Sequence, residues 1–262
     1  MKRKLPVFFH VPKNAGTYTY NVFFRLFYEL GIVDRSKALN IIVKKRNYIA
    51  YRLICSSKKP LCAKYEKGPS RETFFIKYED LDIDELDLYF LEVCPRSFNC
   101  YKKDIYEKLQ KKIEPYEFLL SRRPYNRVVS LFNYLTSEQS AHEPTHKNVN
   151  CKTFAEFLRS SHFRSSRLIY NFLGIPNRVT ITQEHFDKCC DIFDNMYICD
   201  VSEVDDAIKK VFKICHNLDF IKIPTNGIYD NKTKNKTNIS FGSLDKKTQD
   251  YYREEAKWDI LL

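Results

Sequence analysis

The sequence lacks a secretory apolar region and a membrane anchor ahead of its first strand, because Met1 to Lys4 run straight into the apolar Leu5 to Val11. A cytoplasmic chain with no membrane segment is therefore expected. CxxC pairs are also missing. The nine cysteines are odd in number, so neither a zinc site nor a closed disulfide framework is indicated, and buried free thiols are expected. Asn231, Asn235 and Asn238 each open an N-x-[ST] sequon, which without export stays unmodified; a chain trimmed from a lumenal protein would reverse both readings. The ATP-binding spacing GxxxxGK[ST] is absent, and so are zinc-finger, RNA-recognition and homeodomain signatures. No internal repeat is present. Acidic residues are in deficit: 33 Asp and Glu face 44 Lys and Arg, a formal charge of +11. That balance favours an anionic ligand or an acidic polymer, with no specific sign of nucleic acid.

Within these limits, 262 residues at 44% hydrophobic content are enough for one α/β domain with a full core. Leu5 to Leu30 reads as a buried strand, a tight loop and a helix. Leu5, Val7, Phe8, Phe9 and Val11 are too short a run for a helix and suit a strand covered on both faces. Lys13, Asn14, Ala15, Gly16, Thr17, Tyr18 and Thr19 then combine a cation, a glycine and hydroxyls at a helix start. Unpaired N–H groups and the positive end of the helix dipole make such a start a site for a phosphate-like anion.

Further strands are expected at Thr73 to Tyr78, Leu88 to Val93, Tyr116 to Leu120, Val179 to Thr182 and Met196 to Val201, with helical patterns between them. The basic stretch 34–72 is expected to include packed helix with a charged outer face, serving either as solvated surface or as an acceptor-binding insertion. The polar segment 136–150, with His142 and His146, reads as a long binding loop or lid. Strands alternating with helices imply a mainly parallel sheet flanked by helices, with the ligand beyond the strands' carboxyl ends. In SRRPYNRVVS, Arg122 falls at such an end, Pro124 in the first helical turn, and Arg127 and Ser130 on one helical face.

PKNAGTYT at Pro12 to Thr19 resembles the 5′-phosphosulfate loop of sulfotransferases that use 3′-phosphoadenosine 5′-phosphosulfate (PAPS), and Arg122 to Ser130 resembles their R-x-P-x-x-R-x-x-S 3′-phosphate motif. The closing NKT repeats and the helix YYREEAKWDILL are similar to the carbohydrate branch that includes heparan 2-O- and chondroitin sulfotransferases. The resemblance implies a P-loop-like sulfotransferase fold, PAPS as donor, no metal, and a hydroxyl acceptor on a glycan. It also implies roles. Lys13 would neutralise the bridging oxygen as the S–O bond breaks, while the amides of Ala15, Gly16 and Thr17 and the hydroxyls of Thr17 and Thr19 hold the other sulfate oxygens. Arg122 and Ser130 would hold the 3′-phosphate, and Arg127 either assists them or pairs with a local carboxylate.

Tyr18 departs from the family's small hydroxyl residue. Related enzymes use His or Glu as base, and the matching strand here offers Glu92, with Glu79, His142 and His146 as alternatives; Glu92 would need a raised pKa or a basic neighbour. Competing readings are a nucleotide- or polyanion-binding protein without turnover, a protein-tyrosine sulfotransferase, and a phosphotransferase requiring ATP and a divalent metal.

Overall fold

The computed structural model describes residues 2–34, 36–46, 48–61, 63–68, 70, 72–137, 151–165, 167–219, 221–224 and 237–262. His142 and His146 in the expected 136–150 loop lie outside the described residues, as do Cys62, Asn231 and Asn235. The chain runs through β1 (Lys4–Phe9), α1 (Gly16–Glu29), β2 (Ala38–Lys45), β3 (Tyr48–Ser57), β4 (Glu66–Lys67), β5 (Thr73–Lys77) and β6 (Leu86–Val93). Two short helices, α2 (Phe98–Cys100) and α3 (Glu107–Gln110), flank a wide-turned π segment at Tyr101–Tyr106 and lead to β7 (Glu114–Ser121) and α4 (Pro124–Leu135). There follow α5 (Phe154–Leu158), α6 (Ser161–Ser165), α7 (Leu168–Leu173), α8 (Gln183–Asp194), β8 (Tyr197–Asp200), α9 (Val204–His216), α10 (Lys246–Glu255) and α11 (Lys257–Leu261).

The strands form one mixed sheet in the order β4-β5-β2-β3-β6-β1-β7-β8. β1 lies between β6 and β7 and is parallel to both, and β8 continues the parallel set beside β7. Four carboxyl ends are thus delivered to one edge. Side chains alternate across the sheet: Leu5, Val7 and Phe9 pack with Phe98, Tyr101, Phe172 and Phe193 on one face. On the other, Phe8, Phe90 and Phe118 meet Phe23 and Phe27 of α1 and Ile208 and Phe212 of α9. Burial on both faces is why β1 reads as an unbroken apolar run. The described cysteines are free thiols, of which Cys55, Cys189 and Cys215 are buried.

Two expectations are corrected. The basic stretch 34–72 holds strands in place of helix: β2 and β3 pair antiparallel, β3 joins β6 antiparallel, and β5 lies parallel to β2. Its apolar residues follow a period of two, with Ile41 and Val43 in β2 and Tyr51, Leu53 and Cys55 in β3 all in the core, while Lys45 and Tyr48 pair across a reversal at which Arg46 takes a φ of 56°. No strand forms at Val179 to Thr182. There the Val179 carbonyl accepts a hydrogen bond from the Tyr170 hydroxyl (2.7 Å) instead of joining a ladder.

A third apolar cluster joins Val128, Leu131 and Phe132 of α4 to Phe154, Phe157 and Tyr252. Beside it Arg127 and Asp259, each with a 2% exposed side chain, form an ion pair at 3.3 Å, and the same Asp259 oxygen accepts from the Leu168 amide at 3.0 Å. Burial lowers the Arg127 pKa, opposed by the Asp259 charge. Removing one partner leaves the other charge uncompensated, so Asp259→Ala is expected to cost about 3–5 kcal/mol in urea unfolding, and the Arg127→Met/Asp259→Leu pair much less.

Candidate functional site

The loop after β1 is fastened at both sides. Asn14, 2% exposed, donates its amide N–H to the Val11 carbonyl (3.1 Å) and its Nδ2 to the Leu120 carbonyl (2.7 Å), two residues before Arg122. Lys13 and Ala15 on either side of it take left-handed conformations, with φ of 70° and 55°. The turn delivers Gly16 to the head of α1, whose first turn has no side-chain cap and no acid. The Gly16 and Thr17 amides therefore sit where a helix has no carbonyl of its own to offer them. An anion there would meet donors and the positive end of the dipole.

The hydroxyls divide. Thr17 is half-buried on the first turn, whereas Thr19 is buried and donates to the Ala15 carbonyl (3.0 Å), so its proton is spent inside the helix. Tyr18 turns to α9, where its hydroxyl donates to Asp205 (2.7 Å). This accounts for the bulky residue in the loop: it joins the helices on one face of the sheet. The Lys13 ammonium lies 4.2 Å from the centre of the Tyr134 ring on α4.

Arg122 follows β7 and lines a cavity of about 290 Å³ with Arg123, Asn126, Asp200 and Ser202. Partial burial lowers its pKa and the Asp200 charge opposes this. Hydrogen bonds from the Ser202 hydroxyl and amide in turn hold Asp200 below the usual carboxylate range. Ser130 is half-buried on α4. Arg127 is turned inward to Asp259, the local-carboxylate alternative for that residue.

The sequence reading missed His10. Its Nδ1 donates to Glu92 Oε1 at 2.9 Å, and Arg52 Nε lies 3.8 Å from the same oxygen. Parallel pairing sets Phe8 beside Glu92, which brings the end of β1 against a carboxylate far along the chain. Glu92 is 4% exposed. Burial alone would raise its pKa, but the charges of His10 and Arg52 and the His10 hydrogen bond outweigh that and lower it. With Nδ1 facing the carboxylate, Nε2 is the ring nitrogen left for another partner. That ring rests on Gly16, where a Cβ would fall among its Cδ2, Nε2 and Cε1 atoms. The dyad and the anion loop are one piece of structure.

A scan of family models and searches of curated proteins and of solved structures find no match to this chain. The assignment of chemistry therefore rests on the residues themselves. Glu79 lies in the short 3-10 turn Tyr78–Asp80 just after β5, and β5 is four strand spacings, or roughly 19 Å, from β1, which takes it away from the loop. Among the described residues no group of His, Cys, Asp and Glu is placed to hold a metal ion, and no helix is long and apolar enough to cross a membrane.

Gly16→Ala is expected to force His10 out of its contact and destabilise the fold by about 1–3 kcal/mol. In a His10→Ala background that cost should largely vanish, and additive losses in a double-mutant cycle would contradict the contact. Glu92 supplies a pH test as well. Because its folded pKa is depressed, its contribution is complete above the unfolded carboxylate value of about 4.3 and is lost as pH falls through the folded value. The stability gap between wild type and Glu92→Gln should stay constant above that pH and narrow below it in denaturant titrations.

Proposed function

We propose that the chain is a PAPS-dependent sulfotransferase on a P-loop-like α/β fold, moving a sulfuryl group to a hydroxyl acceptor, with a sugar as the favoured acceptor. The observation that carries this reading is the contact of the His10 ring, oriented by Glu92, with Gly16 at the head of the anion loop. A helix start that only held an anion would need no imidazole against it.

PAPS would supply an activated sulfuryl group whose S–O bond to the 5′-phosphate is the one broken. The Gly16 and Thr17 amides and the Thr17 hydroxyl hold its nonbridging oxygens. His10 Nε2 takes the acceptor's proton as that oxygen bonds to sulfur, and the electron pair of the broken bond stays on the phosphate, where Lys13 neutralises it. In doing so Lys13 gives up the Tyr134 ring, a contact worth about 0.5–1 kcal/mol, for a stronger charge-assisted partner. Arg122 and Ser130 hold the 3′-phosphate. Glu92 is a positioning residue that fixes the imidazole tautomer, and His10 takes over the base role expected of it. A binding protein without turnover is the second reading, favoured by the internal use of Thr19 and Arg127.

Labelled PAPS with a panel of glycans and tyrosine peptides, without ATP or added metal, separates the readings. His10→Ala is expected to lower kcat on the order of 10²–10⁴-fold with nearly unchanged affinity for the desulfated nucleotide. Arg122→Ala should weaken that affinity about tenfold or more. Nucleotide binding with no acceptor sulfated selects the binding protein, and absence of nucleotide binding rejects both.

A further inference from the structure

Away from the loop, a cavity of about 380 Å³ opens between α7, the irregular residues 177–181 and the last two helices. Its wall carries four cations, Arg164, Arg167, Arg178 and Lys257, against two acids, Glu254 and Glu255, a formal excess of two positive charges. Arg167 is the built part of this wall. It is 5% exposed, its Nε makes no hydrogen bond among the described residues, and its carboxylate partner, Glu255 Oε2, stands 3.7 Å from Nη1. Arg164 shares that same oxygen at 3.8 Å. One carboxylate thus serves two guanidinium groups without a hydrogen bond to the buried one, a costly arrangement for a buried cation. Arg178 and Lys257 are exposed and have no acid partner among the described residues.

The remaining lining defines what would satisfy this charge. Tyr170 and Trp258 give the cavity an aromatic wall, while Asn177, Thr180 and Glu254 supply hydrogen-bond donors and acceptors. The Tyr170 hydroxyl donates to Val179 and the Arg167 guanidinium lies 5.2 Å from the Tyr170 ring centre, so wall and cation are fixed together. A polyphosphate would bring more negative charge than the excess can balance and would face two carboxylates. A hydroxylated ring with one or two oxyanion groups meets every part of the lining: oxyanion on the arginines, hydroxyls on the carboxylate and amide, ring carbons on the aromatic wall. We propose that this cavity binds an acidic sugar. Its lining shares no residue with the Lys13 loop, and the proposal does not depend on the donor assigned to that loop.

Trp258 is the sole tryptophan of the chain, so intrinsic fluorescence reports this cavity directly. The full chain is titrated with glucuronic acid, with a tetrasaccharide of alternating glucuronic acid and N-acetylglucosamine, with neutral cellotetraose and with ATP. A saturable change with the acidic sugars is expected, from both where a single acidic ring suffices and from the tetrasaccharide alone where a polymer segment is needed. Arg178→Ala/Lys257→Ala, which alters only exposed side chains, should retain the wild-type melting temperature and bind the acidic sugar at least about tenfold more weakly, a change of about 1.4 kcal/mol. No response to either acidic sugar, an equal response to cellotetraose, tighter binding of ATP, or unchanged affinity in the double variant would overturn the proposal. Calorimetry with the desulfated nucleotide on the same preparation reads the Lys13 loop separately, so failure at one site is distinguishable from failure at the other.

Discussion

Everything at the candidate site depends on β1 being hydrogen-bonded in parallel on both sides. With β6 on one flank and β7 on the other, β1 has no free edge, and its side chains are buried above and below the sheet. The chain leaving it must emerge between two other strand ends. Asn14 then finds the Leu120 carbonyl and His10 finds Glu92, two contacts with residues remote in sequence. Loop, imidazole and arginine motif are held at a common edge by backbone pairing, before any side chain adds its share.

The electrostatics follow from that placement. A carboxylate as covered as Glu92 would ordinarily be driven toward its neutral form. Here His10, just after β1, and Arg52, from the strand on the other side of β6, reverse the balance. The same geometry leaves the carboxylate covered and the imidazole in front of it part-exposed. The charge excess of the sequence is likewise not spread evenly: Arg52 faces inward to an acid, and Arg127 and Arg167 are buried among the closing helices.

Much of this was legible in the residues. The strand, loop and helix of Leu5 to Leu30, the strand before Arg122 and the α/β alternation all have strong local signals, namely short apolar runs, a glycine and a proline at element starts. The β2 and β3 hairpin is hidden in the sequence because its period of two is crowded by lysines and arginines at its partly exposed positions. His10 is hidden for a different reason. Its meaning lies in which strand neighbours β1, and nothing local to the HVPKNAG segment reveals that β6 lies beside it. Tyr18 and Arg127 show the same limit, since each is explained by a partner on a distant helix, Asp205 or Asp259.

The position of β1 also makes its pairing depend on segments remote in the chain. Val7 pairs with Leu91 on one side and with Glu117 on the other, so β1 gains its second neighbour only once β7, far along the chain, has been made. Until β7 has been made, one edge of this apolar strand lacks its partner, a strand-edge hazard of slow, non-local pairing. The β2 and β3 hairpin is closed within its own short stretch and needs no such remote partner. The Asn14 tether to the Leu120 carbonyl likewise needs β7, so a nascent chain stalled before Leu120 would carry the loop's sequence without that anchor.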